Sequence, residues 1–178
     1  MAADWLLCTY RLPREPSRLR LGVWRRLRRL GAVMLHDGLW ILPADGKTRE
    51  DFEWLADEIL ERGGSVLLWE ARSLDAEQDA AVARRFRDEA AERYAELAEA
   101  AAQLARVARK RALPAATREQ VLQRLRGLER GLRLERRRDY FRATGRQEAE
   151  AVVQRALQVV RTGSVPKKVV RRQRAVGD

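Results

Sequence analysis

The chain has 178 residues, 46% of them hydrophobic and 35% charged, with a net charge of +11 and a pI near 11.0; this balance excludes a disordered chain and allows one moderate domain or a small domain with an appendage. One cysteine and one histidine exclude a disulfide framework within the chain and a zinc site of the Cys/His kind. The surplus positive charge points to a polyanionic partner, and with neither a run of ~20 apolar residues nor an apolar leader behind Met1, a cytoplasmic protein that uses no membrane is expected.

The run "DWLLCTYRLP" reads as a strand apolar on both faces, with Trp5, Leu7 and Thr9 on one side, Leu6, Cys8 and Tyr10 on the other, and Pro13 as its stop. Ser17 is an N-cap candidate, and Leu19, Val23, Leu27 and Leu30 then recur at helical spacing up to Gly31. "AVMLHDGLWILPA" holds two short strands around His36, Asp37 and Gly38, a hairpin signal. Thr48 is expected to cap a second helix, with Glu50 and Asp51 in its first turn and Phe52, Leu55, Ala56 and Ile59 on its inner face. "SVLLWEA" is the last strand, and Trp40 and Trp69, both in strands, are expected in the core. This β-α-β-β-α-β order makes residues 4–73 an α+β, ferredoxin-like domain.

From Asp75 the composition turns to Ala, Arg, Glu and Leu. A long helix is predicted from about Ala76 to Arg111, a hinge at Pro114 with Thr117 as the next cap, and a return helix up to Gly145 with Val121, Leu125, Leu128 and Leu132 on one face. A short helix then ends at Gly163, so residues 74–163 are read as a helical hairpin plus a short helix and 164–178 as a basic tail.

Charge separates these segments. Residues 1–73 carry 12 basic and 11 acidic side chains, 113–145 carry 9 and 4, and 164–178 carry 5 and 1. Within the nearly neutral first segment, six arginines lie between Arg18 and Arg29 without an acid. On a wheel of 100° per residue Arg18, Arg25 and Arg29 share a sector roughly opposite the leucines, flanked by Arg26 and Arg28, a stripe suited to successive phosphates. Arg126, Arg130, Arg133 and Arg137 recur on the return helix, with Glu129 and Glu135 nearby, and Lys167, Lys168, Arg171 and Arg172 sit in the tail. For the two helical sets the alternative is an ordinary solvated face, and for the tail a disordered solubilising sequence. Trp24 and Trp54 fall off the core sectors of their helices and are read as a dimer or interdomain interface.

Nothing assembles a catalytic residue, a metal ligand or a cofactor site. Cys8 reads as a buried small hydrophobe, His36 and Asp37 as turn residues, and GxxxxGK[ST], GxGxxG and GxSxG are absent.

The phrases "YRLPREPSR", "WRRLRRLGAV", "DGLWILP" and "EWLADEI", in this order between Trp5 and Arg72, closely resemble the N-terminal region of the ChrB family of chromate-resistance regulators. The resemblance implies a transcriptional regulator of a chromate-resistance operon whose basic N-terminal residues bind DNA, here Arg14, Arg18, Arg25, Arg26, Arg28 and Arg29, without the separate chromate-sensing domain. A weaker architectural resemblance runs to the ferredoxin-fold nucleases of CRISPR adaptation. Those nucleases need an acid at the end of strand one, where this chain has Tyr10, Arg11 and Leu12. The expectation is therefore a non-enzymatic regulator on double-stranded DNA, a homodimer, with a separately encoded chromate-sensing protein as a further partner. The alternatives are a non-catalytic interaction partner of such a sensor, or a metal-dependent nuclease.

Overall fold

A computed structural model describes residues 4–13, 17–109 and 114–162. The chain runs β1 (Asp4–Arg11), α1 (Ser17–Leu30), β2 (Val33–His36), β3 (Leu39–Pro43), α2 (Gly46–Glu61), β4 (Ser65–Arg72), α3 (Ala76–Ala108), α4 (Ala115–Arg138) and α5 (Arg146–Thr162). Among the described residues it is a mixed α/β chain with a four-stranded antiparallel sheet and five helices. By contacts it divides into two units, residues 1–93 with 134–144 and residues 94–133 with 145–178. The first division therefore falls inside α3 rather than ahead of it.

In the sheet unit the strand order is β2-β3-β1-β4, with β1 central. Its period-2 pattern places Leu6 and Cys8 on the face shared with Leu42 and Trp40, and these are buried with Val23 and Leu27 of α1 and Phe52, Leu55 and Ile59 of α2. On the opposite face Trp5 meets Phe86 of α3 and Phe141, with ring centroids 5.9 and 5.8 Å away. Its indole Nε1 donates to Asp79 at 2.8 Å. That aromatic cover reaches Trp5, Val33 and Ile41 but leaves Trp69 60% exposed, so the expected core role of Trp69 is corrected. A strand at the sheet edge needs cover of its own on each face, and β4 lacks it on this one.

α2 begins two residues before the expected cap. Asp45, not Thr48, is the N-cap: Thr48 N–H donates to Asp45 Oδ1 at 2.8 Å, and Asp45 N–H donates back to Thr48 Oγ1 at 3.0 Å. Buried Thr48 Oγ1 also donates to Pro43 O at 2.6 Å, which ties the helix to the end of β3. Glu50 and Asp51 consequently fall beyond the first turn. The Ser17 side chain and Arg111 lie outside the described atoms.

In the helical unit, α4 begins at Ala115, so Thr117 lies in its first turn rather than capping it. α4 also ends at Arg138 instead of continuing to Gly145, since Asp139 Oδ1 accepts from Ala143 N–H at 2.8 Å and Arg142 adopts a φ of 53°. Tyr94, Ala101, Val121, Leu125, Val153 and Val160 form the unit's interior. A Cβ on Gly131 would stand 3.0 Å from Leu97 Cδ2, so the glycine lets α3 and α4 approach closely.

Candidate nucleic-acid interface

The geometry of α1 follows from its two faces and its end. Val23 and Leu27 are buried, and the helix closes with Gly31 N–H donating to Arg28 O at 3.2 Å and Ala32 N–H to Leu27 O at 3.0 Å, the crossed pair of bonds of a Schellman motif. Glycine is required at 31 twice over: φ is +80°, and a Cβ would fall 2.7 Å from Arg138 Cβ. Two more of the terminal carbonyl bonds come from far along the chain. Arg138 Nη1 donates to Arg28 O at 2.6 Å and Tyr140 Oη to Leu30 O at 2.8 Å.

The outer face carries Arg18, Arg25 and Arg29, all exposed and none paired with a carboxylate among the described residues. The first turn of α1 has no acid, and a cation there opposes the helix dipole by ~0.3–1 kcal/mol. Helix stability therefore does not explain why Arg18 is where it is. Gly22 lies in the same angular sector, exposed, and a Cβ there would meet nothing within 4 Å. A mid-helix glycine costs stability, and no packing contact requires this one. The sequence does carry a signal for it, a glycine inside a helical pattern and within an arginine sector.

Arg28 stands apart from the stripe. Its Nη1 bonds Glu89 at 2.6 Å, and its guanidinium lies 6.0 Å from the Trp24 ring centroid. Glu89 also holds Arg93 Nη1 at 3.3 Å. Arg93 Nε and Arg138 Nε both donate to Glu135, at 2.9 and 2.7 Å. Glu135 is fully buried, so it points inward to Arg93 and Arg138 and does not neutralise the exposed arginines of α4. Arg26 is half-buried. Elsewhere in the sheet unit Arg49, Arg62 and Arg72 are matched to Glu70, Glu58 and Asp4. The hydrogen-bonded Arg72 guanidinium holds the Asp4 carboxyl below its usual value.

On α4, Arg126, Arg130, Arg133 and Arg137 are exposed, and among the described residues only Arg133 of these has a carboxylate within reach, Glu129 at 3.6 Å. In the helical unit a groove of about 320 Å³ has Ala102, Ala105 and Ala156 in its wall with Arg106, Arg109 and Arg155, three cations that sequence reasoning missed. Arg106 and Arg109, at the end of α3 and just past it, lie some 50 residues from Arg155 of α5, so no local pattern links the three. Arg14, Lys167, Lys168, Arg171 and Arg172 lie outside the described residues. Trp24 and Trp54 are 45% and 64% exposed, as their wheel positions imply.

Burial pushes the Cys8 thiol up to about 12, so it holds no thiolate at neutral pH. Among the described residues no group of three or more His, Cys, Asp or Glu side chains is arranged to hold a metal ion, and no helix is long and apolar enough to cross a membrane.

Residues 20–171 match the protein family described as "Protein ChrB, N-terminal". Protein ChrB of Cupriavidus metallidurans is 33% identical over 76 residues, a stretch covering 43% of this chain and 24% of that protein. The chain thus matches about a quarter of the length of that curated relative. No solved structure matches the chain.

Proposed function

The chain belongs to the family of the N-terminal region of protein ChrB, and from that membership we propose that it is a transcriptional regulator of chromate-resistance genes that holds double-stranded DNA by the outer face of α1. The observation that carries the reading is the contrast within one unit. Arg28, Arg49, Arg62, Arg72, Arg93 and Arg138 each meet a carboxylate, while Arg18, Arg25 and Arg29 share one exposed sector with none among the described residues. Unpaired guanidiniums spread over about three turns present forked donors at a spacing that phosphates of a backbone can follow. Contacts of this kind position a protein on the duplex and dominate its affinity, whereas base readout needs groups that reach into a groove. The exposed arginines of α4 make a cationic face of their own.

We also read residues 4–73 as a ferredoxin-like domain, followed by a helical hairpin and a short helix. The β-α-β-β-α-β order and a sheet in which the first strand is central support that reading.

The test is fluorescence anisotropy on a labelled random-sequence duplex between about 50 and 200 mM salt. Replacing Arg18, Arg25 and Arg29 with alanine should weaken binding at least tenfold (~1.4 kcal/mol) and reduce the slope of log affinity on log salt by about 2–3. The thermal midpoint should stay within about 2 °C, since surface changes of this kind cost little. Unchanged affinity and slope would remove α1 from the interface.

A further inference from the structure

The two edges of the sheet are finished differently. β2 is four residues long, its pairing with β3 shifts register between Met34 and His36, and the Arg85 guanidinium donates to Met34 O at 2.6 Å and Leu35 O at 3.3 Å. Short length, a bulge and a capping cation are the devices by which proteins close an edge to further pairing. β4 has none of them. It is eight residues long and pairs with β1 without a break from Ser65 to Arg72, and no side chain among the described residues bonds its outward main chain.

This open edge is also apolar. Leu67 and Trp69, on the face away from α1 and α2, are 61% and 60% exposed, and Leu68 on the other face is 37% exposed. Leu67 also lines an uncovered groove of about 560 Å³ with Thr9 and Leu39, its neighbours on the same face. The charged residues of β4 are neutralised inside the chain, Glu70 by Arg49 and Arg72 by Asp4. A polyanion has nothing to hold on this strand, and a strand of a second copy has nothing to repel it.

We propose that β4 is a homodimer edge, pairing antiparallel with β4 of a second copy to make one continuous eight-stranded sheet. Residues directly opposite each other in an antiparallel pair share a face. A two-fold axis at Leu68 therefore places Leu67 of each copy against Trp69 of the other, so that the same two exposed side chains cover each other twice. That self-complementarity selects an identical partner, since an isologous contact needs only one surface. The surface is distinct from the arginine stripe, and dimerisation is independent of whether α1 binds DNA.

Sedimentation of the full chain without DNA, from about 1 to about 100 µM, should show the mass rising from 20.5 kDa to twice that value. Hydrogen exchange should show the backbone amides of residues 65–72 gaining protection over the same range, as edge pairing requires and a contact of side chains alone does not. Leu67→Lys with Trp69→Lys should hold the chain at 20.5 kDa throughout, with an unchanged far-ultraviolet spectrum because both side chains are exposed in the single chain. Trp24→Lys, on α1, should leave the dimer intact. A single-chain mass at the highest concentration, a dimer that survives the double substitution, or a dimer whose β4 amides remain unprotected would each overturn the proposal. DNA titration of the double variant is read separately, so loss of the dimer and loss of DNA binding remain distinguishable.

Discussion

Gly22→Ala should make the protein more stable and a poorer DNA binder at once. The first effect follows from the helix alone. Glycine in a helix interior is ~0.5–1 kcal/mol less favourable than alanine, and the added methyl meets no atom within 4 Å, so no clash subtracts from the gain. The backbone at this position is ordinary helix, outside the left-handed region where glycine is needed. For a chain of this size ~0.5–1 kcal/mol corresponds to a rise of about 1–4 °C in thermal midpoint. The second effect follows from position on the proposed DNA-binding face: residue 22 sits among Arg18, Arg25 and Arg29, where a bare backbone would let a phosphodiester strand lie close to the helix. A methyl there holds the strand off all three guanidiniums, and a ~3-fold loss of affinity, ~0.65 kcal/mol, is expected, with a larger loss for Gly22→Leu. Calorimetry gives the first number and anisotropy on a random duplex the second. A higher midpoint with unchanged affinity would refute the placement of DNA against this face. A midpoint that falls would refute the claim that nothing in the fold needs a glycine there.

Other perturbations separate the remaining parts. Arg29→Ala should weaken DNA binding and leave urea stability unchanged, whereas Arg28→Ala should lower stability by about 0.5–1 kcal/mol, since it breaks a partly exposed pair with Glu89; equal behaviour of the two in both assays would contradict the division between stripe and network. Glu135→Ala leaves the guanidiniums of Arg93 and Arg138 facing each other across a buried gap, and a loss of ~3–5 kcal/mol in urea unfolding is expected. The Cys8 thiol, raised to about 12 by burial against an ordinary 9.0, should resist a disulfide-exchange reagent at pH 8 and react at once in guanidinium. Because its folded value is the raised one, the stability it contributes is complete below about pH 9 and fades as pH climbs toward 12; Tyr10 and Tyr140, both raised by burial, act in the same sense. A urea midpoint that is no lower at pH 10.5 than at pH 8 would contradict this.

Features with a short repeat were legible in the sequence. The two apolar faces of β1 and the wheel positions of Trp24 and Trp54 follow from periods of 2 and 3.6, and the Asp37-Gly38 turn from its local turn chemistry. Trp69 was misread because a tryptophan in an apolar strand looks the same whether or not another layer covers it, and only the tertiary fold decides that the aromatic cluster stops at β1. Thr48 was misread for a narrower reason: Asp45 and Thr48 are partners in one cap, and either side chain alone suits the role. Glu135 lies three residues from Arg138 but 42 from Arg93, so spacing made it a surface acid while the second arginine makes it a core one. The arginine stripe was visible as a pattern. Its exclusion of Arg28 was not, because Glu89 is 61 residues away.

The carbonyls that close α1 find their donors 110 positions downstream, in Arg138 and Tyr140. During synthesis the strands and both covering helices leave the ribosome first, and at ~5–20 residues per second the missing donors follow about 3–14 s later. Until then the last turn of the arginine helix is held by Gly31 and Ala32 alone. A fragment cut after β4 would retain every arginine of the stripe and lose the fastening of its end, so the arginine helix and its clasp travel as one piece although most of the polypeptide lies between them.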